Sequence, residues 1–227
     1  MERLKKRNRT VFLTGASRGI GKAIKNLLTK EGFDIIAPSR SQLNLADYGS
    51  VNNYLHKNKN LKIDILINNA GINFPQYVSD LDDSNIQDTI QTNLISPILL
   101  IRSLVENMKK NKWGRIINIS SMFGVVARGK QVLYTASKHG INGVTKSLAL
   151  ELGAHNILVN SVCPGFTNTE LTLRNSPEKN AALAKDVPLG RFANPKEIAN
   201  LVLFLISDKN TYITGAEILI DGGFTCR

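Results

Sequence analysis

Cysteines, acidic residues and long apolar runs are all scarce in this chain, and each scarcity narrows what it can be. Only Cys163 and Cys226 occur among 227 residues, with no CxxC and no Cys/His cluster. Neither a disulfide framework nor a structural metal site is expected, and a reducing cytoplasm is the expected setting. No apolar run approaches the ~20 residues that span a bilayer. The longest, Leu201 to Ile206, reads as a buried helix segment. Residues 1–9 form a basic arm that leads straight into a strand rather than into an apolar signal core, so no secretory signal is read there. Asp and Glu total 18 against 29 Lys and Arg, a net charge of +11. The cations are scattered apart from Lys5-Lys6-Arg7 with Arg9. That pattern predicts a general pull on anionic ligands and no specific nucleic-acid surface.

What is present is an α/β alternation over the whole length, read as one domain spanning residues 1–227. Short apolar runs at Thr10–Thr14, Phe33–Ala37, Ile63–Ile67, Arg115–Ser120 and Ile157–Val162 are nearly continuous, as in strands covered on both faces. A last strand is read at Glu217–Ile220. Helical patterns fall at Ile20–Lys30 and near 50–58, 84–110, 133–153 and 196–206. The predicted fold is a single-domain Rossmann fold, a doubly wound parallel sheet. One connection is too short. Only Pro38 to Gln42 separate the second strand from Leu43-Asn44-Leu45, where a parallel crossover needs a dozen residues. Either an extended segment replaces a helix, or Leu43–Leu45 is a short edge element.

Four motifs carry chemistry. Thr14-Gly-Ala-Ser-Arg-Gly-Ile-Gly21 lies between the first strand and first helix. Gly15, Gly19 and Gly21 permit a tight turn and close approach of a pyrophosphate to the helix N-terminus. Where an acidic residue would hold the ribose hydroxyls of NAD(H), the chain has Ser39-Arg40, with Arg18 inside the glycine turn. Two guanidiniums and a hydroxyl suit a 2′-phosphate, so NADP(H) is favoured over NAD(H). Asn68-Asn69-Ala70-Gly71 follows the third strand at the edge where ligands bind, and its amides can brace neighbouring strands. Ser121 ends the next strand, thirteen residues before Tyr134, and can hydrogen-bond an oxygen that is becoming an alkoxide.

Tyr134 and Lys138 stand four apart on one helix face. An ammonium beneath the ring is expected to draw the phenol below its ordinary pKa of about 10, towards the acid–base range. Asn93, in the middle of the helix that precedes, is read as structural or water-holding.

In this order and at these spacings the motifs resemble the short-chain dehydrogenase/reductases over essentially the whole chain. The matching blocks are residues 14–21 and 68–71, Asn93, Ser121, Tyr134 with Lys138, Pro164-Gly165, and Ile213-Thr-Gly-Ala-Glu with Asp221-Gly-Gly223. The segment Val187-Pro-Leu-Gly-Arg-Phe with Pro195-Lys-Glu-Ile is most similar to the 3-oxoacyl-acyl-carrier-protein reductase group. The resemblance implies that Tyr134 is the acid/base, that Lys138 tunes it and bonds the nicotinamide ribose, that Ser121 positions the carbonyl, and that Asn93 holds a water. It implies cofactor contacts at Gly15, Ser17, Arg18, Ile20, Asn44, Leu45, Asn69, Ala70, Gly71 and Thr167, and a nicotinamide loop starting at Pro164-Gly165.

Residues 167–185 would be a flexible lid, polar and without a core pattern. The implied partner is a small carbonyl or alcohol substrate. Its candidates are an acyl group on acyl carrier protein, and a sugar, polyol or secondary-metabolite intermediate. The carrier-docking basic pair falls on Lys112 and on His155, which is mostly neutral at pH 7. Phe74, Met122, Phe123, Val125 and Phe166 suggest apolar walls, and Arg128 and Lys130 a solvated loop that could meet an anion. The family also implies a homotetramer or homodimer through helices 84–110 and 133–153, with Ala136, Gly140 and Gly143 allowing close packing. The non-enzymatic alternative is a catalytically idle dinucleotide sensor.

Overall fold

Successive residues of a strand point to opposite faces, so a strand that is apolar throughout needs a helical layer on each side. The computed structural model, which describes residues 9–170, 172 and 175–226, has that arrangement. Strands β1 (Thr10–Leu13), β2 (Asp34–Ile36), β3 (Ile65–Asn68), β4 (Gly114–Ile119), β5 (Ile157–Pro164) and β6 (Glu217–Ile220) form one parallel sheet in the order β2-β1-β3-β4-β5-β6. Phe12, Leu66, Ile116 and Val159 face one layer, with Val51, Leu100 and Leu104. Val11, Leu13, Ile65, Ile67, Ile117 and Val162 face the other, with Ile24, Leu28, Ile198 and Val202. Each such side chain, fully buried, contributes about 1.5–3 kcal/mol. Helices α2 (Tyr48–Lys57), α4 (Ser96–Asn111) and α5 (Val132–Leu152) cover the first face, and α1 (Gly19–Lys30) and α7 (Pro195–Ile206) the second.

The chain leaves β1 for β2 on one side and returns to β3 on the other, so the switch point lies between the carboxyl ends of β1 and β3. Doubly wound sheets bind ligands at such a crevice.

The short connection after β2 resolves differently from either expectation. Leu43-Asn44-Leu45 pairs with no strand, and β2 is itself the sheet edge. Turns closed by Leu43 N–H to the Ser39 carbonyl and Asp47 N–H to the Asn44 carbonyl lead into α2, which makes the crossover to β3. Leu43 and Leu45 are buried against the core, and the Leu45 carbonyl accepts from Ser96 Oγ at 2.7 Å. The in–out–in alternation anchors a turn instead of building a strand.

The expected lid also differs. Within 167–185, α6 (Pro177–Lys185) is a formed helix: Ser176 Oγ accepts the Lys179 N–H, Pro177 occupies the first turn and Leu183 is buried. Cap, proline and acidic Glu178 together are a helix-start signal. Leu171, Leu173 and Arg174 of that stretch lie outside the described residues, as does the Lys5–Arg7 cluster of the basic arm.

Candidate active site

The glycine turn, the 68–71 motif, Ser121 and Pro164-Gly165 lie at the carboxyl ends of β1, β3, β4 and β5. The glycine turn follows β1 and is stitched to the residues after β3. Thr14 Oγ1 accepts the N–H groups of both Asn69 and Ala70 at 3.0 Å, while Asn69 Nδ2 donates to the carbonyls of Thr14 and Gly15 at 2.9 and 3.1 Å. Gly15 and Gly19 adopt φ of +67° and +52°, the left-handed region that glycine enters without penalty. Gly21 packs closest of all. A Cβ there would stand 2.1 Å from the Gly15 carbonyl oxygen.

Helix α1 begins at Gly19 with Arg18 at its N-cap, no side-chain cap bond and no acid in its first turn. Its leading N–H groups and positive end are therefore unanswered within the helix and suited to phosphate. This uncapped terminus above a glycine cradle fits the pyrophosphate of a dinucleotide. Ser17 and Arg18 are exposed beside it, whereas Ile20 turns its side chain to the core.

At the end of β2, Ser39 and Arg40 are exposed; Ser39 Oγ lies 2.8 Å from Ser41 Oγ and bonds Gln42. Among the described residues neither Arg18 nor Arg40 forms an ion pair. The Asn44 side chain instead accepts its own turn's Ala46 N–H, at 3.3 Å.

Ser121 ends β4 and starts a short 3₁₀ turn, Met122–Gly124, accepting the Phe123 N–H at 3.1 Å. Tyr134 sits in the first turn of α5, with its phenol near enough to Ser121 to feel that hydroxyl. Lys138 Nζ lies 5.5 Å from the Tyr134 ring centre and donates to the Ile119 carbonyl at 2.8 Å. The sequence therefore brings Ser121, Tyr134 and Lys138 together as expected.

The electrostatics run against expectation. Burial pushes the Tyr134 phenol above its ordinary value, outweighing the lowering influence of the Ser121 hydroxyl. Burial also pulls the Lys138 ammonium down to about 8. Desolvation disfavours either charged form, and it dominates here. Tyr134 is thus a protonated acid at neutral pH, and Lys138 is still mostly cationic at pH 7.

Asn93 occupies a π-turn, Gln91–Ile95, between α3 (Asp83–Ile90) and α4. Such turns recur at functional sites. Its amide is engaged with protein on both atoms, Ile72 N–H and carbonyl each at 2.9 Å and Ser137 Oγ at 3.1 Å. The side chain thus has the structural role that is one of the two readings of Asn93. A Cβ at Gly71 would meet Asn93 Oδ1 at 3.3 Å and Lys138 Nζ at 3.5 Å, so the 68–71 motif abuts Asn93 and Lys138 directly.

Pro164 ends β5, and Gly165 packs on the backbone of Asp221, where a Cβ would come within 2.7 Å. Thr167 is buried, its hydroxyl donating to the Gly165 carbonyl at 3.1 Å.

Sequence reasoning missed a buried polar chain beneath the site. Asn68 Nδ2 donates to Asn118 Oδ1, Asn118 Nδ2 to Thr145 Oγ1, and Thr145 meets Ser161 Oγ, all at 2.8–2.9 Å. Its signal was visible as polar residues inside the apolar runs of β4 and β5. A surface cavity of about 710 Å³ between α1 and α7 touches Gly19 but none of the catalytic candidates. No group of His, Cys, Asp or Glu among the described residues could hold a metal, and no helix there is long and apolar enough to cross a membrane.

A family model described as enoyl-(acyl carrier protein) reductase matches residues 41–225. The chain is 36% identical to the 3-oxoacyl-(acyl-carrier-protein) reductase FabG of Aquifex aeolicus (strain VF5), over 97% of this chain and 98% of that protein. Among solved structures, 4-hydroxyisoleucine dehydrogenase complexed with NADH superposes with a TM-score of 0.90 at 32% identity, over 97% of this chain and 100% of the other. ElxO with NADP bound gives a TM-score of 0.89 at 26% identity, over 97% and 100%.

Proposed function

The chain belongs to the short-chain dehydrogenase/reductase family, an NAD(P)-dependent oxidoreductase of CH–OH/C=O groups, and we propose that it works as an NADPH-dependent reductase of a 3-oxoacyl-type carbonyl. The observation that carries this is the convergence of Ser121, at the head of the turn after β4, with the Tyr134 phenol and the Lys138 ammonium, whose Nζ lies 5.5 Å from the Tyr134 ring centre. The bound nicotinamide supplies the hydride. Ser121 donates a hydrogen bond to the carbonyl oxygen, and Tyr134 passes its proton to that oxygen as charge develops there. Lys138 stabilises the phenolate left behind, and Asn93 holds Ile72 and Ser137 so that Lys138 keeps its place. Gly15, Ser17, Arg18, Gly19, Ile20, Gly21, Asn69, Ala70, Gly71, Pro164, Gly165 and Thr167 form the cofactor surface; Ser39 and Arg40 bound its ribose end, with the Asn44–Leu45 turn beside them.

NADPH is preferred because Arg18 and Arg40 carry exposed guanidiniums without an ion-pair partner among the described residues. A carbonyl screen following NADPH absorbance, with NADH in parallel, tests this. The expected preference is about tenfold or more in kcat/KM, lost in Arg18→Ala/Arg40→Ala. Comparable rates with NADH would remove the preference.

A carrier-protein thioester is the second reading, favoured by the similarity to FabG. Against it, Lys112 and His155 flank the amino ends of β4 and β5, the far edge of the sheet from Ser121. The compartment that fits is the cytoplasm. Assembly as a homotetramer or homodimer is supported by α5, where Ala136, Gly143 and Leu150 are exposed on one face. Gly140 has no part in that face, because a Cβ there would meet this chain's own Leu94 at 3.0 Å.

A further inference from the structure

The loop joining Ser121 to Tyr134 carries two cations that the chemistry above does not use. Arg128 lies over the Phe166 ring, 6.0 Å from its centre, and Lys130 Nζ lies 4.1 Å from the centre of the Tyr77 ring. Phe166 follows Pro164-Gly165 and Tyr77 follows the 68–71 motif, so the loop bridges two walls of the same cleft. Its position is fixed. The Lys130 carbonyl accepts the Gln76 N–H at 2.9 Å, and Lys130 holds a left-handed φ of +65°, costly for a residue with a Cβ. Phe166 is braced in turn by Phe123, Phe192 and Phe224, with ring centres 5.2–6.4 Å away.

Stacking on a ring holds a cation by its face and leaves its N–H groups for an acceptor. Among the described residues neither Arg128 nor Lys130 forms an ion pair. The two acids nearest these walls are engaged elsewhere: Asp221, packed on Gly165, accepts from Gly223 and Thr225, and Asp80 accepts from Ser79. From Asn107 to Leu150 the chain holds no Asp or Glu, and none occurs in the cleft segments 69–78 and 163–168. Apolar walls focus such one-signed charge and raise the local concentration of anions.

We propose that Arg128 and Lys130 form a substrate-side anion clamp, and that the carbonyl compound reduced here bears a free carboxylate. This rests on the reductase reading and narrows its substrate: an oxo acid takes the place of a carrier-bound thioester, whose carbonyl end is neutral.

The test compares 3-oxopentanoate and 4-oxopentanoate with their methyl esters, using the full chain and NADPH. In the wild type the acids should exceed the esters about tenfold in kcat/KM, the worth of one charge-assisted contact at a partly exposed site. The ratio should fall to about one in Arg128→Ala/Lys130→Ala. Esters reduced as well as acids, or a ratio that survives in the double variant, would overturn the clamp. Should nothing be turned over, binding of the same compounds to the protein–NADPH complex, read by cofactor fluorescence, decides separately. Acids bound tenfold tighter than esters by the wild type alone would uphold the clamp while the reductase reading fell; equal binding would overturn it.

Discussion

The side chain of Asn93 pairs with the backbone of Ile72 as a neighbouring strand would, accepting its N–H and donating to its carbonyl, each at 2.9 Å. A third bond reaches Ser137, the residue before Lys138. The amide thereby ties the segment after β3 to α5, the helix that carries Tyr134 and Lys138. Asn93→Ala removes three hydrogen bonds and leaves both part-buried backbone groups of Ile72 without that partner, at an expected cost of about 1–3 kcal/mol of stability. A matching fall in kcat, with KM nearly unchanged, would mark a positioning role. Steady-state kinetics and denaturant unfolding check both halves.

The pull on Lys138 has a defined sign. Its ammonium is lowered from 10.5 to about 8 in the fold, so between those values the unfolded chain binds the extra proton. Folding stability therefore rises with pH through that window, and the penalty is fully present below pH 8. Relative to Lys138→Met, the wild type is expected to gain up to about 3 kcal/mol between pH 8 and 10.5. Urea unfolding of both proteins at several pH values measures this. The reductase rate is expected to decline as pH rises through about 8, where the cation is lost.

Gly21→Ala inserts a methyl group 2.1 Å from the Gly15 carbonyl and 2.4 Å from Asn69 Nδ2. The first is backbone and cannot swing aside. The expected result is a loss of about 1–3 kcal/mol, with dinucleotide affinity falling further than melting temperature alone accounts for. Cofactor titration alongside a thermal melt separates the two.

Much of this was legible beforehand because periodicity and motif spacing are local properties. The last strand, Glu217–Ile220, and helix α7 were placed within a residue. Leu43–Leu45 misled because its alternation reports only which side chains go inward; whether a partner strand lies alongside is a tertiary fact. Helix α6 was missed for want of a strong apolar face, although Ser176-Pro177-Glu178 announced its start. The Tyr134–Lys138 spacing foretold that the two groups lie together, 5.5 Å from ammonium to ring centre, and gave the wrong direction of shift. Sequence shows that a cation is near; it does not show how deeply both groups are buried.

The central claim is that the Tyr134 phenol gives the proton in hydride transfer. The most direct measurement is NADPH oxidation by Tyr134→Phe beside the wild type, with cofactor affinity measured on the same samples. A fall of about 10²–10⁴ in kcat with NADPH affinity retained is the predicted result. Turnover within a few-fold of the wild type, at equal cofactor occupancy, would contradict it.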